Sequence, residues 1–214
     1  MTRVLLTGFE PFDGEKTNPS WLAVRAAAAQ PPAGLDLRTA ELPCVFGEAA
    51  RALRAAVDGH RPDVVICVGQ AGGRPDITVE RVAVNLDDAR IPDNAGAAPI
   101  DEPVVAGGPA AYFSTLPVKA CVAAVRAAGL PASVSHTAGT FVCNHVFYAL
   151  AHLIATELPA LRGGFVHVPY APEQVTGRAQ PSLPVDTVAR ALCEIAATAA
   201  TTREDLRLPG GATH

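Results

Sequence analysis

No run of lysine or arginine occurs in the 214 residues, and the formal net charge is −4. Nothing in such a chain attracts a polyanion, so nucleic acid is not an expected partner. Long hydrophobic runs are missing too: Met1-Thr-Arg-Val-Leu-Leu-Thr-Gly8 holds only three consecutive apolar residues before Thr7. That is too short for a signal-peptide core or a membrane span, and it reads instead as a core strand. The five cysteines, at 44, 67, 121, 143 and 193, are odd in number and form no CxxC. In a chain long enough to bury a core they are not needed as staples, which points to a reducing cytoplasm. Neither HExxH nor GxSxG is present, so a zinc-peptidase helix and a serine-hydrolase elbow are unsupported, and no metal or cofactor is expected. Gly69-Gln-Ala-Gly-Gly73 carries neither a lysine nor a cluster of arginines, which argues against a phosphate-capturing transferase such as a nucleoside phosphorylase.

What is present is apolar and regularly punctuated. Hydrophobic residues make up 49% of the chain, and mean hydropathy is +0.22. This is enough for one catalytic domain spanning 1–214, with a loose tail after about residue 203. Arg3 to Thr7 reads as a buried strand; Asn18-Pro19 supplies an N-cap and first-turn proline for a helix from Trp21 to Gln30. A second helix is expected from about Phe46 to Asp58, and a buried strand at Asp63 to Val68 between Pro62 and Gly69. Ile77 to Leu86 is strand or hairpin, and the segment from Asp87 to Pro109, rich in proline, glycine and aspartate, is a loop long enough to suspect a function. Leu116-Pro117 starts a helix stopped by Gly129, Ala132 to Ser135 is a strand, Asn144 to Glu157 a helix, Phe165 to Val168 a strand, and Val185 to Thr201 the last helix. Alternation of strands and helices predicts an α/β sheet covered on both faces, with a parallel, right-handed crossover from Ala132 to Val168.

The chemistry concentrates on Thr140-Phe-Val-Cys143-Asn-His145 and on His167, twenty-four residues beyond that cysteine. A thiol where a helix begins gains from the helix dipole and free N–H groups, both of which favour thiolate. An imidazole within reach completes a nucleophile and base. Parallel geometry would bring both to one sheet edge, together with the segments after the two earlier strands, Gly8 to Phe12 and Gly69-Gln70. The other four cysteines sit in a strand, in amphipathic helices or in an apolar run, and read as small hydrophobes.

Six histidines compete as base. His145 is turned by two helical steps almost to the opposite side from Cys143 and reads as structural. His152 is a helix away, His60 lies in a connection and His214 is terminal. His136, seven residues before Cys143, is the rival to His167, which is preferred because Pro169 ends its strand at the sheet edge. For the group that orients the imidazole, Glu80, Asp87, Asp88, Asp93 and Asp101 all remain open on spacing alone. Glu80 within Thr78-Val-Glu-Arg-Val82 is attractive because a carboxylate buried in an apolar strand needs a partner.

Leu5-Leu-Thr-Gly-Phe-Glu-Pro-Phe12, Asn18-Pro-Ser-Trp21, Val79-Glu-Arg-Val82, Asp87-Asp-Ala-Arg-Ile-Pro-Asp-Asn94, Ala138-Gly-Thr-Phe-Val-Cys-Asn-His145 and Gly164-Phe-Val-His-Val-Pro-Tyr170 follow one another in order. Together they resemble pyroglutamyl peptidase type I, a cysteine peptidase family. The resemblance implies a three-layer α/β/α sandwich with a mixed, largely parallel twisted sheet. It further implies a cytoplasmic thiol exopeptidase, usually homotetrameric, that hydrolyses the amide after an N-terminal pyroglutamyl residue of peptides through a thioester acyl-enzyme. On it the catalytic trio falls on Cys143, His167 and Glu80, and the substrate pocket on Phe9, Phe12, Gly69, Gln70, Arg90, Ile91, Phe141 and Val142, Arg90 lying near the reacting carbonyl. His136 stands where the family more often has asparagine. An aromatic content of only 5% makes two phenylalanines around one Glu-Pro turn easier to explain as pocket walls than as chance.

Overall fold

The computed structural model describes residues 1–212, so His214 lies outside the described residues. Strands β1 (Thr2–Phe9), β2 (Leu35–Leu42), β3 (Val64–Gln70), β4 (Ile77–Glu80), β7 (Ala132–Ser135) and β8 (Arg162–Val168) form one six-stranded sheet, ordered β2-β1-β3-β8-β4-β7. Two short strands, β5 (Val82–Val84) and β6 (Ala111–Phe113), pair separately. Among the described residues the α-helices are α1 (Pro19–Ala29), α2 (Glu48–His60), α3 (Val118–Ala127), α4 (Val142–Thr156) and α5 (Val185–Thr201). No helix among the described residues is long and apolar enough to cross a membrane.

Strand periodicity divides the core in two. Val4, Leu6, Val64, Ile66, Val68, Ile77, Val79, Val166 and Val168 face one side, where they pack with residues of α1, α3 and α5. Leu5, Phe9, Val65, Cys67 and Phe165 face the other, against Leu53 and Val57 of α2 and Val146, Phe147 and Leu150 of α4. Because successive side chains alternate across a sheet, Phe9, Gly69, Glu80 and His167 all belong to the α2/α4 side. This is the three-layer arrangement that the family resemblance implied.

The expected parallel crossover from Ala132 to Val168 does not occur. β1, β2, β3 and β8 run parallel, but β4 pairs antiparallel with β8, and β7 is parallel to β4. β7 therefore opposes β8 and is separated from it by β4. The chain still returns to the same place because β4 and β7 have only four residues each. Thr78 lies opposite His167, and Ser135 opposite Glu80, so the loop after β7 emerges two residues along the ladder from His167.

Smaller differences have local causes. The Asn18 side chain accepts from Ser20 N at 3.0 Å, with Pro19 in the first turn, so α1 starts two residues earlier than Trp21. β2 was not foreseen: Asp36, Arg38 and Glu41 interrupt its apolar pattern, as suits a half-exposed edge strand. The Asp87 to Pro109 loop is tied down. Asp93 accepts from Phe46 N, Ala95 N and Ala97 N, and Asn94 Nδ2 donates to Glu10 Oε1 and Pro11 O. Part of the tail expected to be loose is also held, since Asp205 accepts from Lys119 N and Ala120 N at the start of α3.

Candidate active site

A cavity of about 230 Å³ opens where β1, β3 and β8 end. It is lined by the sequence-predicted Phe9, Phe12, Gln70, Phe141, Cys143 and His167, and also by Asn18, Cys44, Ala71, Arg74, Ala138 and Gly139. Each strand delivers its residue by register: Gly69 pairs with His167 and Gln70 with Val168, while Thr7 lies opposite Cys67, two residues before Phe9 and Gly69. Helix α4, packed on the same face, brings Cys143 over Gly69. A Cβ placed on Gly69 would stand 2.7 Å from Cys143 Sγ, so this position has room for a hydrogen and nothing larger.

Several hydrogen bonds fix the start of α4. Thr140 Oγ1 donates to Asp88 O, and Asn144, fully buried, accepts from Val84 N and donates to Val84 O and Leu86 O. His145 uses both ring nitrogens: Nδ1 lies 2.8 Å from Asp87 Oδ2, and Nε2 accepts from Gly47 N. It is a strut between two loops, consistent with its reading as structural. Phe141 at the N-cap offers no side-chain acceptor, so the first-turn N–H groups keep their capacity to meet a negative charge.

His167 is 3% exposed and Glu80 0%, and Glu80 Oε1 lies 2.8 Å from His167 Nδ1. The carboxylate requires Nδ1 to carry the proton, which leaves Nε2 as the basic atom. Arg74 Nη1 donates to the same Oε1 at 2.6 Å and also to Thr78 Oγ1, while its Nη2 donates to Thr137 O. Arg74 was not foreseen. The demand for a cation beside a buried Glu80 was legible, but its neighbour Arg81 instead donates to Gly210 O.

The protonation states follow. Burial pushes the Glu80 carboxyl up, but the hydrogen bond and charge of His167 and the charge of Arg74 outweigh it, and the group stays ionised below the usual range. Burial lowers the His167 pKa despite the opposing pull of Glu80, so the imidazole is neutral at rest. Burial, with Cys44 and Glu80 nearby, holds the Cys143 thiol well above its ordinary value. The N-terminus of α4 acts in the other sense, worth roughly 0.3–1 kcal/mol to a nearby negative charge. Burial and the helix start therefore pull the Cys143 thiol in opposite directions, beside an imidazole whose burial favours its neutral form. Cys44, another lining residue not foreseen, is pushed up to about 12 by burial and by Glu10 and Asp93.

Four expected pocket residues, Gly69, Arg90, Ile91 and Val142, are not among those lining the cavity, Gly69 lying beneath Cys143 Sγ. Val142 is fully buried in the core between sheet and α4, because the first helical turn directs it inward. Arg90 is exposed and Ile91 half-buried, in a bend fixed on either side by the Asp88–Thr140 and Asp93 hydrogen bonds. His136 is exposed and outside the lining as well. Phe12 and Phe141 are half-buried at the rim with ring centroids 6.1 Å apart, and Phe9, 2% exposed, closes the floor.

The profile of the pyroglutamyl peptidase family matches residues 2–203. The chain is 67% identical over the full length of both chains to the pyrrolidone-carboxylate peptidase of Streptomyces coelicolor, and 56% identical, again over both full lengths, to that of Erwinia tasmaniensis. Among solved structures, it resembles the pyroglutamyl peptidase I of Bacillus amyloliquefaciens with a TM-score of 0.92 at 50% identity, covering 96% of this chain and 100% of that one. A mutant pyrrolidone carboxyl peptidase from Pyrococcus furiosus matches with a TM-score of 0.88 at 41% identity, covering 92% and 98%. On sequence and on fold alike, this chain belongs to the pyroglutamyl peptidase family.

Proposed function

We propose that Cys143, His167 and Glu80 are the nucleophile, the base and the orienting carboxylate of this chain, with Phe9, Phe12, Phe141 and Gln70 as its substrate pocket. The chain is a cysteine exopeptidase that hydrolyses the amide following an N-terminal pyroglutamyl residue. The observation that carries the residue assignment is an imidazole, held through Nδ1 by a buried carboxylate at 2.8 Å, in one cavity with a helix-start thiol and three phenylalanines.

A pyroglutamyl group is a flat, uncharged lactam, so it needs apolar faces and a few amide partners but no acid to hold an ammonium. Phe9, Phe12 and Phe141 supply the faces, and groups around Gln70 pair with the lactam N–H and C=O. Proline, lacking the ring carbonyl and carrying a charged amine, leaves those groups unpaired. As Cys143 Sγ attacks the acyl carbon, its proton passes to His167 Nε2. The oxyanion is met by first-turn N–H groups of α4. On collapse, the imidazolium protonates the departing amine, leaving a thioester on Cys143. Water then gives a proton to His167 and attacks the thioester, and free pyroglutamate departs as the thiol regains its proton. Arg90, exposed, takes no part in this scheme.

The five cysteines are all unpaired, which supports a reducing, cytoplasmic setting. Phe113 and Ile100, each 72% exposed, support association into the homotetramer implied by the family. The test of function is fluorophore release from a pyroglutamyl amide, run beside prolyl and alanyl amides. Turnover confined to the first, and abolished in a folded Cys143→Ser variant, is expected; preference for either of the others, or undiminished turnover by the variant, contradicts the reading.

A further inference from the structure

Gln174 lies outside the sheet, in the short 3-10 turn Pro172–Val175 that follows β8. Its side chain has a fixed orientation: Oε1 accepts from Ala171 N at 2.9 Å, while Nε2 donates to Gln70 Oε1 at 3.0 Å and, more weakly, to Thr17 O at 3.4 Å. A backbone N–H can only donate and a backbone carbonyl can only accept. Ala171 and Thr17 therefore key the Gln174 amide from both ends, and a flipped amide would set oxygen against carbonyl and nitrogen against N–H. Gln70 inherits that order. Its Oε1 is committed to Gln174, so its Nε2 remains to serve the cavity that Gln70 lines.

We propose that Gln174 is a specificity-positioning residue. By holding Gln70 Oε1, it turns the Gln70 Nε2 group toward the bound ring as the donor to the lactam carbonyl, the atom that separates pyroglutamate from proline. This rests on the pyroglutamyl reading above. A free glutamine side chain would offer either its oxygen or its nitrogen, and the oxygen would repel the lactam carbonyl. The relay removes that choice before substrate arrives, as preorganised sites do.

Gln174→Glu tests it by inversion. The introduced carboxylate presents only oxygen to Gln70, which then flips its amide and faces the cavity with Oε1. KM for the pyroglutamyl amide should rise about tenfold to a hundredfold, the effect of an unpaired buried carbonyl, with a smaller change in kcat. Gln174→Met, which releases Gln70 without inverting it, should raise KM less and decides the matter if the glutamate variant fails to fold. In a Gln70→Leu background, which has no amide to orient, Gln174→Glu should add little; a purely structural role would make the two losses add. Equal KM in the Gln174→Met and parent enzymes, or additivity in the double variant, overturns the relay. If the parent enzyme itself ignores pyroglutamyl amides, it is the functional reading that has failed instead.

Discussion

Gly69→Ala tests how Cys143 and His167 are brought together. The added Cβ would lie 2.7 Å from Cys143 Sγ and 2.9 Å from Phe165 Cζ, about 1 Å inside the roughly 3.5–4 Å of ordinary contact. Phe165 is fully buried, with its ring centroid 6.4 Å from Phe9, 6.0 Å from Phe147 and 4.8 Å from His167, so it has nowhere to retreat. The sulfur must move instead, and a displacement of about 1 Å in a reacting atom costs about a hundredfold in rate. Overpacking of a core adds roughly 1–3 kcal/mol of destabilisation, or roughly 2–4 °C in Tm per kcal/mol for a chain of this size. Kinetics on a pyroglutamyl fluorogenic amide and thermal unfolding should therefore show a folded protein with kcat down about a hundredfold. Gly59→Ala is the control, since nothing lies within 4 Å of its added Cβ and alanine suits a helix better. A folded Gly69→Ala enzyme with kcat within about threefold of the parent would refute the placement of Sγ over Gly69.

Further outcomes follow from the charges. Arg74→Met leaves Glu80 with His167 as its remaining partner; at the lower end of the roughly 3–5 kcal/mol for breaking a buried pair, Tm should fall by roughly 6–12 °C. Because Arg74 lowers the pKa of His167, its loss should also shift the acid limb of kcat/KM to higher pH; an unchanged limb with unchanged Tm would show that the pair matters little. In the proposed mechanism the base is the neutral imidazole of His167, present only above its pKa, and burial lowers that pKa from the ordinary 6.5. The acid limb of kcat/KM should then have its midpoint below pH 6.5, and a midpoint above about 7 would contradict the assignment. Among the cysteines, iodoacetamide should modify Cys143, which is partly exposed in the cavity that His167 also lines, before Cys44, Cys67 and Cys121, which are buried; uniform labelling would count against an activated thiol.

The sequence was most legible where a local rule acts alone. Asn18-Pro19 marks a helix start, Gly129 a helix stop, and Val185 to Thr201 matches α5 residue for residue. Long-range pairing left no such trace. Four-residue strands of either direction look alike in sequence, so the antiparallel β8–β4 junction was missed, and with it the reason that Glu80 and His167 meet. That reason is parity: Phe9, Gly69, Glu80 and His167 share the face covered by α4. Arg74 and Gln174 stayed hidden because their partners, Glu80 and Gln70, are reached across turns whose paths no periodicity encodes. For Arg90 and Ile91, motif matching put both at the pocket, whereas no residue of their loop is among those lining the cavity.

Everything proposed for this site turns on acyl transfer through the sulfur of Cys143, which acid quench of a pyroglutamyl ester reaction followed by peptide mass spectrometry would observe as a covalent species. A pyroglutamyl adduct on the peptide bearing Cys143, lost in a folded Cys143→Ser variant, is the expected finding. An adduct on any other residue, or one undiminished in Cys143→Ser, would rule that sulfur out as the nucleophile.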